Sequence, residues 1–169
     1  MTKMTSKVTW VSGLRFIGGS GSGHGAIMDG SQTSSSKEVL GPSPMEMVLM
    51  GLGGCSGIDV MHILERMRQT VTGCKVELEG ERAEESPRVY KKIHLIYTIS
   101  GNNLSQPRVE EAVRLSNEKY CSVSVMLKAA VKLTREVKIV QRPSETNDFE
   151  MLQNICFRST FATSVQETF

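Results

Sequence analysis

The sequence predicts an α+β domain, in which strands meet one another in hairpins and the helices come separately. Two features support this class. Residues 75–82 and 88–100 alternate polar and apolar side chains with period two, as half-buried strands do. The segment 43–46, Ser-Pro-Met-Glu, carries the signals of a helix start. The predicted order of elements over residues 1–141 is βββ-α-ββ-α-α-β.

Three short strands are predicted at the N-terminal end of the domain. Residues 6–12 and 14–17 are strand-like and join at Gly13, and residues 26–29 form a third strand. Residues 18–25 are rich in glycine but lack the G-x-G-x-x-G spacing between a strand and a helix. We therefore interpret them as a hairpin loop and not as a phosphate-binding loop.

The first helix is predicted to begin with Ser43 as its N-cap, Pro44 in its first position and Glu46 completing a capping box. It should run to about Gln69. Glycine costs roughly 1 kcal/mol against alanine inside a helix, so interior glycines need a structural reason. Close approach of another backbone is the reason we expect. The glycines concerned are Gly51, Gly53 and Gly54.

The remaining elements follow from the same patterns. Residues 75–82 and 88–100 form an antiparallel hairpin, with Ile93, Leu95, Tyr97 and Ile99 on one face. Helices are predicted over residues 107–117 and 122–130, and a final strand over residues 132–140. Residues 142–169 are polar and without a clear period, so they are interpreted as a C-terminal appendage.

The composition indicates a soluble, cytoplasmic protein of one domain. The chain has 169 residues, 39% of them hydrophobic, and a net charge of +2. This charge is too small to predict binding to nucleic acid or to an anionic membrane. No secretory signal is visible, and no run approaches the roughly 20 apolar residues of a membrane span.

Cys55 and Cys121 are the candidate chemical groups. Each follows a polar or glycine-rich segment and opens into an apolar, helix-like stretch, and a helix N-terminus stabilises a thiolate. Cys74 and Cys156 are interpreted as buried filling. Because the sequence has no C-x-x-C motif and no metal-like spacing of histidines with cysteines, it predicts neither a zinc site nor a cofactor.

Two such thiols are suited to peroxide reduction, which needs an attacking thiolate and a second thiol to resolve the sulfenic acid. Cys55 is the better attacking residue because its glycine neighbours leave room for a substrate, and Cys121 suits resolution. Glu46 lies nine residues before Cys55, roughly opposite it on an ideal helix. Its role in the capping box fully accounts for a glutamate at this position. Asp59 and His62 are placed on a solvated helix face. Inert, buried cysteines remain an equal alternative at this point.

Three segments resemble the OsmC/Ohr superfamily of osmotically inducible and organic-hydroperoxide-resistance proteins. Residues 42–49 (Pro-Ser-Pro-Met-Glu-Met-Val-Leu) resemble its Asn-Pro-Glu-Glu-Leu helix start, followed by Gly-Gly-Cys-Ser at residues 53–56. Residues 121–129 resemble its second-cysteine segment. The resemblance covers roughly residues 5–140, and the sequences of these motifs are most similar to those of the YhfA-like branch.

This resemblance implies an OsmC-like fold, with antiparallel sheets wrapped around central helices in an intertwined homodimer that has two active sites at its interface. It implies that Cys55 is the peroxidatic cysteine, that Cys121 resolves it, and that Glu46 belongs to the polar network around the sulfur. The implied substrates are organic hydroperoxides, with hydrogen peroxide as a further one. The implied reductants are dithiols, including lipoyl groups on a protein.

One departure from the family pattern concerns its arginine. Classical members carry an arginine upstream of the glutamate, whereas here no arginine lies between Arg15 and Glu46, and Lys37 is the nearest cation. Lysine is a point charge without the bidentate fork of arginine. The sequence therefore predicts a thiol peroxidase of oxidative-stress defence, with Lys37 or Arg15 as polar support. The alternative is a non-enzymatic dimer that binds a small ligand in the same cleft.

Overall fold

The computed structural model of the protein describes residues 3–30 and 39–141. The predicted appendage, residues 142–169, and Lys37 lie outside the described residues. The predicted α+β class and order of elements are confirmed. The strands are β1 (Ser6–Ser12), β2 (Arg15–Ser20), β3 (Gly25–Asp29), β4 (Thr70–Arg82), β5 (Tyr90–Asn102) and β6 (Lys132–Gln141). The helices are α1 (Pro44–Arg66), α2 (Gln106–Leu115) and α3 (Ser122–Leu127), with a π-helix (Ser116–Tyr120) between the last two.

The first sheet consists of β1, β2 and β3, which pair antiparallel in sequence order. Gly13 makes the turn between β1 and β2 with a φ of +52°, a conformation that glycine adopts without steric cost. The loop predicted at residues 18–25 is shorter in the structure, because Gly18 and Gly19 continue β2 and pair with β3.

The second sheet has the order β4-β5-β6. β4 and β5 form the predicted antiparallel hairpin, but β6 pairs with β5 in parallel. The prediction of antiparallel sheets is therefore wrong for this pair. The chain between β5 and β6 passes through α2, the π-helix and α3, and a helical crossover of this kind returns the next strand in the same direction.

Helix α1 begins as the sequence predicts. The Ser43 hydroxyl accepts the Glu46 amide at 3.3 Å, and the Glu46 carboxylate accepts the Ser43 amide at 2.7 Å, which completes the capping box. The helix ends at Arg66, earlier than the predicted Gln69, because Arg68 turns to a φ of +56°.

The main core lies between the second sheet and the helices. The apolar face predicted for β5 is confirmed, since its four side chains are fully buried. These are Ile93, Leu95, Tyr97 and Ile99. Helix α1 faces this core with Leu52, Val60 and Leu64, each also at 0% exposure.

By length and composition α1 would suffice to cross a membrane, since it has 23 residues and contains an 18-residue stretch with a mean hydropathy of 1.5. No apolar run of such a length is expected from the sequence. Asp59 and the glycines do interrupt the run, but they leave its mean hydropathy high enough for a membrane span. Core helices of soluble proteins have the same composition, and Leu52, Val60 and Leu64 of α1 are part of the core.

Candidate functional site

Cys55 lies in the middle of α1 and not at a helix start. The glycines before it are helical, so the sequence interpretation of a glycine-rich turn that opens a helix at Cys55 is wrong. The partial charge of a helix N-terminus acts over the first turn and does not reach this position. Cys55 is half-buried and packs against the core.

Cys121 is the N-cap of α3, as predicted. Its amide donates to the Ser116 carbonyl at 2.8 Å, and its sulfur accepts the Ser124 amide at 3.4 Å. The residue is fully buried. Burial raises the pKa of the Cys121 thiol, outweighing the contacts with Ser124, which lower that pKa. The predicted stabilisation of a thiolate at this helix start is therefore reversed by desolvation.

The fold brings these two sulfurs together with a carboxylate. The Sγ atoms of Cys55 and Cys121 and a carboxylate oxygen of Asp59 all lie within 4.8 Å of one another. Both sulfurs belong to one chain, although 66 residues separate them in the sequence. The predicted solvated position of Asp59 is wrong, because the residue is half-buried at the site. Its spacing of four residues from Cys55, which places both on one side of a helix, is a signal in the sequence that could have identified it.

A buried polar network ties the two cysteine segments to β5, and sequence reasoning missed it. Ser56, next to Cys55, has its hydroxyl 3.0 Å from that of Ser116, and Ser116 also donates to the Ser56 carbonyl at 3.0 Å. The Ser56 hydroxyl makes a further hydrogen bond with the hydroxyl of Tyr97. The Asn117 amide donates to the same Tyr97 oxygen at 2.9 Å.

The number of hydroxyl protons determines which group donates in each hydrogen bond of this network. Each hydroxyl has one proton. Ser116 uses its own on the Ser56 carbonyl, so the Ser56 hydroxyl donates to Ser116 and Tyr97 donates to Ser56. Burial raises the pKa of Tyr97, which keeps its proton available for that bond. The network fixes α1 against the π-helix that leads to Cys121, and π-helices are frequent at functional sites.

The structure does not bring Glu46 to the sulfurs of its own chain. Nine residues of helix correspond to about 13.5 Å of axial rise, which exceeds the reach of the side chain. Glu46 instead caps α1 through Ser43. Arg15 pairs its Nε with the fully buried carboxylate of Asp29 at 3.0 Å. This pairing anchors β2 to β3.

A cavity of about 340 Å³ adjoins the site, since Asp59 is one of its lining residues. His62 and Arg66 of α1 also line it, as does Tyr120, the residue before Cys121. The lining combines these polar groups with apolar side chains, as small-molecule sites do. Cys74 lies outside this cavity on β4, and burial raises the pKa of its thiol.

Comparison with known proteins connects this geometry to a family. The model of OsmC-like proteins matches residues 34–136. Protein YhfA of Escherichia coli K12 is 48% identical over 137 residues, which cover 81% of this chain and 98% of YhfA. The chain also contains the three segments that resemble this branch, which are the helix start at residues 42–49, Gly-Gly-Cys-Ser at residues 53–56 and the second-cysteine segment at residues 121–129.

Solved structures agree with the sequence relationship. A hypothetical protein from Aquifex aeolicus VF5 is 31% identical, with a TM-score of 0.74 over 85% of this chain and all of that one. The organic hydroperoxide resistance protein OhrB of Bacillus subtilis is 16% identical, with a TM-score of 0.60 over 81% of this chain and 98% of OhrB, and so shares the fold. The chain belongs to the OsmC/Ohr family.

Proposed function

We propose that this protein is a thiol-dependent peroxidase that reduces organic hydroperoxides, in oxidative-stress defence. The observation that carries the proposal is the approach of the Cys55 and Cys121 sulfurs to within 4.8 Å inside one chain. A disulfide has an S–S bond of about 2.05 Å, so the sulfurs need to close by less than about 3 Å. A family that includes proteins named for organic hydroperoxide resistance supports the same chemistry.

The first step is the attack of the Cys55 thiolate on one oxygen of a hydroperoxide, ROOH. The O–O bond breaks, the sulfur is oxidised to a sulfenic acid, and the alkoxide RO⁻ leaves and takes up the proton that the Cys55 thiol released, giving the alcohol ROH. Cys55 takes this role because it is only partly buried, whereas Cys121 is fully buried. The cavity beside Asp59 gives the R group a place to lie.

The second step is the attack of Cys121 on the sulfenic acid of Cys55, which forms a disulfide and releases water. An external dithiol then supplies two electrons and two protons and restores both thiols. Small dithiols and lipoyl groups on a protein are the reductants that we propose. The cytoplasm, where thiols are kept reduced, is the compartment in which this cycle would turn over.

We further propose that the protein works as an intertwined homodimer. The first sheet exposes large apolar side chains on both of its faces, which is unusual for a free surface. Trp10 and Phe16 are register partners on one face, with 62% and 38% exposure, and Ile17 and Ile27 are partners on the other, with 47% and 44%. A second copy covering this sheet would bury these side chains, and the resemblance to the OsmC/Ohr family implies the same homodimer.

The alternative of a non-enzymatic binding protein is less well supported. Such a protein would hold its sulfurs apart in an apolar cleft, whereas here the two sulfurs and a carboxylate converge. Binding would then leave the cysteines without a chemical role. The two proposals differ in whether the protein consumes hydroperoxide catalytically through Cys55.

The test is consumption of cumene hydroperoxide with dithiothreitol or lipoamide as the reductant. We expect Cys55→Ser to abolish turnover, and Cys121→Ser to stop after one oxidation per chain when the reductant is omitted. Cys74→Ser is the matched control, since Cys74 lies on β4 outside the site, and it should keep the wild-type rate. Undiminished turnover in Cys55→Ser would refute the role of Cys55, and the absence of turnover in both proteins would favour the ligand-binding alternative.

A further inference from the structure

A third ligating group beside the two sulfurs gives the reduced site a property that a peroxidase does not require. Asp59 stands four residues after Cys55 on α1, and Cys121 faces both from the start of α3. All three ligand atoms lie within 4.8 Å of one another. Two thiols alone suffice for a disulfide, so the convergent carboxylate is not accounted for by that chemistry.

The geometry points to a metal site: we propose that Cys55, Cys121 and Asp59 bind a Zn²⁺ ion when both cysteines are reduced. Zinc takes sulfur at about 2.3 Å and carboxylate oxygen at about 2.0–2.2 Å in tetrahedral sites. Two sulfurs on such an ion are then about 3.8 Å apart. The observed separations, all below 4.8 Å, require each ligand to move by about 1 Å or less.

The ligand types select the ion. Thiolates favour zinc and other soft or borderline ions over magnesium and calcium, which take oxygen ligands. Two residues four apart on a helix are a common way to present a pair of zinc ligands on one face. Three protein ligands leave the fourth position for water, and the partial exposure of Cys55 and Asp59 gives the ion and the water access.

The surroundings are compatible with a charged complex. Two thiolates and a carboxylate around Zn²⁺ carry a net charge of −1, and Arg66 lines the same cavity as Asp59. Metal binding releases the protons of both thiols, so zinc affinity should rise with pH. No metal-like spacing is visible in the sequence because Cys121 joins the other two ligands only through the tertiary fold.

Metal binding and disulfide formation exclude each other. A disulfide removes both thiolate ligands, so oxidation by a peroxide releases the ion, and bound zinc keeps Cys55 from attacking a peroxide. The metal site itself is independent of the proposed peroxidase activity, because it is defined for the reduced protein in the absence of peroxide.

The test is a Co²⁺ titration of the reduced full chain without oxygen, in a Cys74→Ser, Cys156→Ser background that retains only the two site cysteines. We expect one ion per chain, sulfur-to-cobalt charge-transfer absorption, and the intense visible bands of tetrahedral cobalt. Asp59→Asn is added to this background, and it should weaken Co²⁺ binding at least tenfold relative to the background alone. Absent charge-transfer absorption, or an unchanged affinity in Asp59→Asn, would overturn the site.

A second measurement uses the wild-type chain and therefore does not depend on a variant folding. Reduced protein is alkylated with iodoacetamide with and without Zn²⁺, and each cysteine is followed by mass spectrometry. We expect zinc to slow alkylation of Cys55 at least tenfold and to leave Cys74 unchanged. Equal alkylation of Cys55 in both conditions rules out the metal site, whatever the peroxidase assay gives.

Discussion

At the scale of single residues, the two cysteines differ in environment more than their similar sequence contexts indicate. Cys121 is fully buried and caps α3, whereas Cys55 is half-buried in the middle of α1. The sequence correctly predicted the N-cap role of Cys121, because a polar segment before an apolar one is a local signal. It misplaced Cys55, because glycines inside a helix resemble a turn until tertiary packing is known.

The raised pKa of Cys121 makes disulfide formation depend on pH. The thiol is held neutral by burial, so its reactive thiolate is scarce near pH 7 and grows about tenfold per pH unit until the pKa is reached. We therefore expect the closure of the Cys55–Cys121 disulfide to accelerate between pH 7 and 9. The measurement is a rapid-quench assay after one equivalent of cumene hydroperoxide.

In Cys121→Ser the sulfenic acid should persist at every pH and remain available to dimedone. A closure rate in the wild-type chain that does not change between pH 7 and 9 would contradict the role assigned to the Cys121 thiol.

At the scale of elements, the hydroxyl of Tyr97 joins β5 to α1 and to the π-helix. Tyr97→Phe removes the donor to Ser56 and the acceptor of Asn117 in a buried site. We expect it to lower the free energy of unfolding by about 1–3 kcal/mol, or about 2–4 °C in Tm per kcal/mol. Thermal unfolding of the variant checks this, and a Tm equal to that of the wild type would show that the network does not hold these elements.

The glycines of α1 have two different environments. A Cβ on Gly53 would stand 2.6 Å from Leu78, whereas at Gly51 and Gly54 it would meet nothing within 4 Å. The expected close approach is therefore found for Gly53, and it involves a side chain of β4 and not a backbone. Gly51 and Gly54 face outward, where the proposed homodimer would cross its two central helices.

These environments predict different effects of alanine. Gly53→Ala forces the Leu78 Cδ1 methyl to shift, which offsets the roughly 1 kcal/mol that alanine gains inside a helix, so it should raise the Tm less than Gly51→Ala or Gly54→Ala does. Gly51→Ala and Gly54→Ala should leave the packing of a single chain intact and weaken dimer formation. Thermal unfolding and sedimentation equilibrium separate the two effects. A higher Tm with undiminished dimerisation in Gly51→Ala would argue against close crossing of the helices.

Element order and type follow from local signals, and most strands and helices were predicted on that basis. The parallel pairing of β5 with β6 was not, although the helices between the two strands favour a crossover. The pairing direction depends on how α2 and α3 pack across the sheet, which is a tertiary property. The Ser56–Tyr97 network was missed for the same reason, since its members lie on separate elements.

At the scale of the whole molecule, the apolar first sheet predicts self-association. Trp10→Glu places a charge in its exposed apolar surface and should weaken the dimer at least tenfold, since a buried unpaired charge is strongly unfavourable. Ser22→Glu, at the exposed tip of the same sheet, introduces the same charge and is the matched control. Sedimentation equilibrium gives the dimer dissociation constants of the two variants. A monomeric wild-type chain would contradict the proposed dimer.

The central claim is that Cys55 and Cys121 form one redox pair. Its most direct test is a non-reducing peptide map of the wild-type chain after one equivalent of tert-butyl hydroperoxide. We predict a Cys55–Cys121 linked peptide in proportion to the peroxide consumed, with Cys74 still alkylated as a free thiol. Peroxide consumption with Cys55 and Cys121 both recovered as free thiols would contradict the account.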